Sequence, residues 1–460
     1  MIVNKRIHRF SIAILILFQL GGIAVAQNQG SQEHWVATWV SAQQAPRGGG
    51  GQRAAAPAQA PAGAQPTPAG QPPAAAQAPA GQRGPGGGAP NAFKNQTIRM
   101  VVHTTVAGRR ARVQLSNAFG TTDLTMGAAH IALLSKDSEI TPGTDRPLLF
   151  NRKPSVTIPP GALMISDPVD LNIPKSADLA ISVYVPGETG PASTHSLGLH
   201  TTYISKEGDF TGQSAIADAT TSNSWYWVSG VDVLAPANAA AIVAFGDSIT
   251  DGATSTPNTN RSWPSLLGER LLANTGAANI AVVNQGISGN RVLGDGAGVS
   301  ALARFDRDVL SVAGVKWVMI LEGINDIGGG ARGNPVTADA LIGAMKQMIE
   351  RAHTHGIKVI GCTLTPFEGA GYYSENGESI RTALNTWIRT GGAFDSVVDF
   401  DAATRDPNKP KQFRADYNNT DHLHPNDAGY KAMADAVNLS IFATPVQFDT
   451  PIRPAPPRGR

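Results

Sequence analysis

The chain holds a single cysteine, Cys362, among 460 residues. One cysteine forms no internal disulfide, so the fold has to be held by its apolar cores. Cys362 lies in the apolar run "KVIGCTLTP", where a buried, inert thiol is the expectation. An excess of one charge sign is also missing. Lys and Arg total 37 against 35 Asp and Glu, which gives no ground for nucleic acid or an anionic membrane as partner. The apolar run from Phe10 to Leu20 falls short of the ~20 residues a spanning helix needs. It follows the basic residues Lys5, Arg6 and Arg9 and precedes "GGIAVAQ", with Ala24 and Ala26 in an A-x-A arrangement. That layout predicts a secretory signal peptide over 1–26, a secreted or periplasmic protein, and no stable membrane insertion after cleavage. No cysteine follows the cut, so lipid attachment there is excluded.

What the chain has in excess is glycine and proline, 50 and 32 residues, and they are densest in one tract. From about 44 to 90 the sequence is nearly all Ala, Gly, Pro, Gln and Arg, too poor in apolar bulk to offset its ordering entropy. The tract is expected to be a disordered insertion, because "HWVATWV" before it and "NQTIRMVVHTTV" after it both read as strands. Short runs rich in β-branched and aromatic residues continue to residue 235 without a helical period, predicting an all-β sandwich or jelly roll over 31–235. Trp225 and Trp227, alternating on a strand, are expected to fill its core rather than stack on a sugar. From Ala240 apolar strands alternate with helices, one opening near Ser262 and Pro264, another running from Thr337 to Gly356. This predicts an α/β domain over 240–443, a parallel sheet covered on both faces, followed by a disordered tail over 444–460.

Active sites of such sheets form at the carboxyl ends of the strands. Those ends carry "FGDS", "NQGISGN" and "EGIND", and "DHLHPNDAGY" follows the last strand. Together they supply what acyl transfer from an ester requires. Ser248 is the candidate nucleophile and needs a base, for which His424 is the candidate. Asp421, three residues before it, can accept the imidazole's other proton and hold the tautomer. The charge of a tetrahedral intermediate needs donors aimed at it, and the backbone N–H groups of Ser248 and Gly286 with the Asn325 side-chain amide are the expected set. Gly289 reads as a turn glycine, His422 as structural or pocket-lining, and His353 and His355 as favourable partners of a helix C-terminus.

In that order, "GDSITDG", the glycine of "NQGISGN", "GIND" and "DHLHP" resemble the four sequence blocks of the SGNH, or GDSL-type, esterase and lipase family. The resemblance covers roughly residues 240–440. It implies a flavodoxin-like three-layer fold, Ser248 as nucleophile, Gly286 and Asn325 as oxyanion donors, and His424 with Asp421 as base and orienter. The strand-rich half is similar to the β-sandwich of secreted bacterial two-domain members. The function expected is an exported carboxylic ester hydrolase acting through an acyl-enzyme, without metal or cofactor, on a small-molecule or polysaccharide ester, with short acyl or acetyl groups favoured over lipids.

Three rivals stand beside it. A metal-dependent phosphoesterase would arrange Asp247, Asp251, Asn325, His422 and His424 around two metal ions, but no Asp-x-His pair precedes "GDS". An ordinary α/β-hydrolase would need Gly-x-Ser-x-Gly, which "GDSIT" breaks at its last position. A secreted carbohydrate-binding protein with an inactive hydrolase half would not need an intact set of catalytic residues.

Overall fold

A computed structural model describes residues 33–45, 92–330, 333 and 335–442. The expected signal peptide, most of the Ala/Pro/Gly-rich tract and the tail at 444–460 lie outside the described residues.

The first part is antiparallel. One sheet runs in the order His34–Val40, Val228–Ala235, Gly108–Ser116 and Val169–Ile173, with Leu163–Ile165 also on Gly108–Ser116. The other runs Thr220–Ser222, Thr202–Glu207, Gln96–Thr104, Ala177–Val185, Ala128–Lys136 and Glu139–Ile140, with Arg146–Pro147 also on Ala128–Lys136. Alternation sets which face is buried: Val113 and Leu115 of the first sheet and Ile98, Met100 and Val102 of the second belong to one apolar cluster. The strand before the glycine-proline tract, His34–Val40, pairs with Val228–Ala235, so stretches on both sides of the tract share a sheet. Trp225, Tyr226 and Trp227 are all buried, and Trp225 Nε1 donates to Val101 O at 2.8 Å. The expected strand alternation through the three breaks at Trp227, whose φ of 58° turns the chain out of the Trp225–Tyr226 strand.

The second part is α/β. Its strands are β1 (Ala240–Gly246), β2 (Ile280–Gly286), β3 (Val315–Leu321), β4 (Lys358–Cys362) and β5 (Ser396–Val398), all parallel, in the order β2-β1-β3-β4-β5. Every residue of β1 is buried, as continuous apolar sequence in a doubly covered sheet demands. The helices are α1 (Ser248–Asp251), α2 (Trp263–Ala273), α3 (Ala301–Phe305), α4 (Ile324–Gly330), α5 (Ala338–Thr354), α6 (Glu375–Thr390), α7 (Phe400–Thr404) and α8 (Asp427–Ala436). Helices α2, α7 and α8 pack together, and α3, α4, α5 and α6 pack together, so the sheet lies between two helical layers. Thr337 caps α5 by accepting from Ala340 N, and Gly356, at φ 68°, ends it. Ser262 occupies the cap position of α2, but its hydroxyl lies 3.0 Å from Ser265 Oγ and makes no cap bond to the backbone.

Strand order reverses at β1, between β2 on one side and β3 on the other, and this is where such sheets open a crevice. A buried guanidinium gathers the strand ends around it. Arg304 donates to Gly246 O at the end of β1 (2.9 Å), to Gln285 O near the end of β2 (2.8 Å) and to Asn290 Oδ1 in the loop beyond (2.8 Å). It also pairs with Asp308 at 3.1 Å and with Glu322, just past β3, at 3.4 Å. Removing one member of a buried charge network leaves the others uncompensated. Arg304→Met is therefore expected to lower stability by about 3–5 kcal/mol, read as the shift of the urea midpoint; an unchanged midpoint contradicts this account.

Candidate active site

Ser248 is the first residue of α1. Asp247 caps the helix with Oδ1, accepting from Ile249 N at 2.9 Å, and Gly252, at φ 102°, closes it after one turn. Gly246 permits this sharp strand-to-helix turn, since a Cβ there would meet Leu321 O at 2.6 Å and the Thr250 side chain. The first N–H groups of a helix have no intrahelical acceptor, so the Ser248 N–H is left free to bind a ligand oxygen.

His424 arrives from 176 residues away, on the loop before α8. Tertiary bonds hold that loop to the segment after α1: Thr254 Oγ1 donates to Pro425 O (2.7 Å), Tyr430 to Ala253 O (2.6 Å), and Thr256 to Asp427 through both N–H (2.9 Å) and hydroxyl (2.6 Å). Asp421 folds back beneath the imidazole because its Oδ1 accepts from the backbone N–H groups of Leu423 and His424, both at 3.0 Å. Its Oδ2 lies 2.6 Å from His424 Nδ1, and His424 Nε2 lies 2.8 Å from Ser248 Oγ. Partial burial raises the Asp421 pKa, but the hydrogen bonds from the His424 ring and from the two backbone N–H groups outweigh it and bring the carboxyl down to about 2. An ionised carboxylate only accepts, so Nδ1 carries the proton and Nε2 offers its lone pair to the serine hydroxyl.

The oxyanion side differs from the sequence expectation at one residue. Asn325, in the first turn of α4, donates one amide hydrogen to Asn290 O at 3.0 Å, leaving its second for a substrate. Gly286 is committed elsewhere: its N–H donates to Asn284 Oδ1 at 2.9 Å. Its lack of a side chain serves packing, since a Cβ there would lie 2.6 Å from Asp251 Cα and 2.8 Å from Thr250 C. The expected donor role of Gly286 is thus corrected. The neighbouring turn glycine, Gly289, has the suitable backbone: at φ 82° in the loop after β2, it has an N–H with no acceptor among the described residues. The residues flanking it are tied to both sides of the site. Ser288 N and Oγ donate to Asp251 Oδ2 at 2.9 and 2.7 Å, and Asn290 O receives Asn325. In sequence, "GISG" offers two glycines and only their opposite backbone environments distinguish them.

Behind the serine lie Asp247, which the sequence offered only as a metal ligand of the rival phosphoesterase, and the carboxyls Glu322 and Asp326. Burial pushes Asp247 up to about 7, the nearby Asp326 and Asp251 carboxyls add to this, and the Ile249 N–H and His424 oppose it. Burial together with Asp247 raises Glu322 well above the usual carboxyl range despite Arg304. Asp326 accepts from Val292 N and Leu293 N, at 2.7 and 3.1 Å, and so anchors the loop after Gly289 to α4. His422 is exposed, at φ 58°, with Nδ1 2.8 Å from Asn418 Nδ2, apart from the Ser248–His424 pair. His353 pairs with Asp395 at 2.8 Å and His355 bonds Arg351 O at the end of α5. Among the described residues no group of three His, Cys, Asp or Glu side chains is arranged to hold a metal ion. No helix among them is long and apolar enough to cross a membrane.

Residues 242–437 match the model of the GDSL-like Lipase/Acylhydrolase family. A search of curated proteins gives no match. Among solved structures the chain is similar to a GDSL-like lipase from Bacteroides thetaiotaomicron, at 21% identity over 44% of this chain and 87% of that one, with a TM-score of 0.32. A catalytic mutant of the acetylxylan esterase Axe2 from Geobacillus stearothermophilus matches at 22% identity, 43% of this chain and 91% of that one, TM-score 0.34. A member of the lipolytic G-D-S-L family from Veillonella parvula matches at 21% identity, 45% of this chain and all of that one, TM-score 0.32. Residues 242–437 thus form a GDSL-like lipase/acylhydrolase domain, which makes the protein a carboxylic ester hydrolase.

Proposed function

We propose that this ester hydrolase is exported and works by a ping-pong serine mechanism on short-chain acyl or carbohydrate acetyl esters. The observation that carries the mechanism is the continuous line Asp421 Oδ2, His424 Nδ1, His424 Nε2, Ser248 Oγ, with contacts of 2.6 and 2.8 Å. Ser248 Oγ attacks the ester carbonyl carbon as His424 Nε2 takes its proton. The resulting oxyanion is met by the N–H groups of Ser248 and Gly289 and by the Asn325 amide. The C–O bond to the alcohol breaks as His424 returns the proton to the leaving oxygen. Water then enters, loses a proton to His424 and releases the acid from Ser248.

The substrate side of the proposal rests on surface. Among the described residues the exposed large hydrophobics are Leu163, Ile165, Leu293 and Val397, and of these only Leu293 sits in the strand-end loops. That leaves little apolar area to receive a long acyl chain, which favours short acyl groups. Export rests on the basic, apolar and A-x-A pattern of residues 1–26, with periplasm and medium both compatible.

Hydrolysis of p-nitrophenyl acetate tests the mechanism. Ser248→Ala and His424→Ala are each expected to lower kcat by several orders of magnitude, and Asn325→Ala by about 10² to 10³. EDTA is expected to leave the rate unchanged; a rate that survives Ser248→Ala and falls with EDTA would hand the site to metals. Asp421 stays ionised until the pH falls to about 2, so its hold on the His424 ring is present throughout the pH range of the assay.

A further inference from the structure

The antiparallel half places an imidazole, that of His195, against the end of α1. His195, on the short strand Thr194–His195, is buried, as is its partner Asp251 at the end of α1. The His195 Nε2 to Asp251 Oδ1 distance is 2.9 Å, and His195 Nδ1 lies 2.8 Å from Ala42 O. A carbonyl oxygen only accepts, and Asp251 already accepts two donors from Ser288 on its other oxygen. Nδ1 therefore donates to Ala42 O, and the Asp251 oxygen facing Nε2 favours a proton there as well. Burial by itself lowers the His195 pKa, but the Asp251 carboxylate and the Ala42 and Leu197 carbonyls outweigh it and raise it. Trp225 stacks on the ring at 5.5 Å between centroids and fixes its plane.

We propose that His195 is a positioning residue for ester hydrolysis: acting through Asp251, it fixes the loop that presents the Gly289 N–H to the oxyanion. The chain of contacts is continuous. His195 fixes one oxygen of Asp251, the other oxygen holds Ser288 by N–H and hydroxyl, and Gly289 follows Ser288 directly. Asn325 clamps the far side of the same loop through Asn290 O. Without the His195 donor, Asp251 keeps an unmatched buried charge, and its grip on Ser288 yields to whatever rotation hydrates it. The mechanistic part rests on the oxyanion role proposed for Gly289 above.

His195→Phe keeps an aromatic ring against Trp225 and removes both donors. It is expected to lower kcat on p-nitrophenyl acetate by about 10- to 100-fold with KM within about twofold, because a misplaced donor costs transition-state stabilisation rather than substrate binding. Amide hydrogen exchange over 287–290 is expected to speed up while that of Gln96–Thr104 stays protected. A kcat within about twofold of wild type, with unchanged exchange over 287–290, overturns the proposal. If H195F does not fold, Ser288→Ala serves instead. It deletes the hydroxyl bond alone and is expected to lower kcat about fivefold with KM held, and an unchanged kcat and exchange again overturn the proposal. The exchange measurement uses no substrate. Activity surviving in Ser248→Ala would sink the acyl-enzyme reading, while exchange over 287–290 still decides whether His195 holds the loop.

Discussion

The guanidinium of Arg304 is the constraint on which the strand-end site depends. It is fully buried, and a buried cation is tolerated only when its donors are used and its charge is matched. Its planar fork satisfies the carbonyls of Gly246 and Gln285, the side chain of Asn290, the Asp308 carboxylate and the Glu322 carboxyl. Each of these points belongs to an element that delivers a functional group. Gly246 precedes the Ser248 turn, Gln285 and Asn290 bracket Gly289, and Glu322 precedes Asn325. Its lining up of three strand ends explains how donors from separate elements are preorganised before a substrate arrives.

Two carboxyls near the serine are driven in opposite directions, and the contrast shows what each can do. Asp421 stands among donors, on a partly solvated loop, and falls to about 2. Asp247 is closed in by protein and by other carboxyls, and rises to about 7. The first is suited to hold an imidazolium during the transfer of a proton. The second contributes one oxygen to the α1 cap, while its other oxygen, Oδ2, is buried without a hydrogen-bond partner.

The antiparallel sheets are joined to the catalytic half by specific polar contacts. Thr105 Oγ1 donates to Val282 O of β2 at 3.0 Å, Ala37 N donates to Ala313 O before β3 at 2.9 Å, and His195 reaches Asp251. Trp225, which the sequence assigned to the core rather than to a sugar, spends its indole N–H on Val101 and its face on His195. A ring so engaged at both its polar and its apolar surface has a packing role.

Much of this was legible in the residues. Alternating apolar strands and helices with Gly-Asp-Ser, Gly-Ile-Asn-Asp and Asp-His-Leu-His at successive strand ends point to one edge of one parallel sheet, because period and order are local properties of the chain. The turn bringing Asp421 under His424 is local as well, three residues long. What the residues did not decide was which glycine of "NQGISGN" presents its N–H. That depends on Asn284 capturing Gly286 and on α1 crowding its Cα, both of which are contacts between elements. Arg304 and His195 were equally invisible, since a lone Arg in a helix or a lone His in a strand carries no signal until the chain folds and its partners, distant in sequence, arrive. The sequence by itself determined the chemistry available at the strand ends. Only the tertiary structure decided which donors are free and which charges are matched, because hydrogen-bond availability and burial are properties of neighbours brought together by folding.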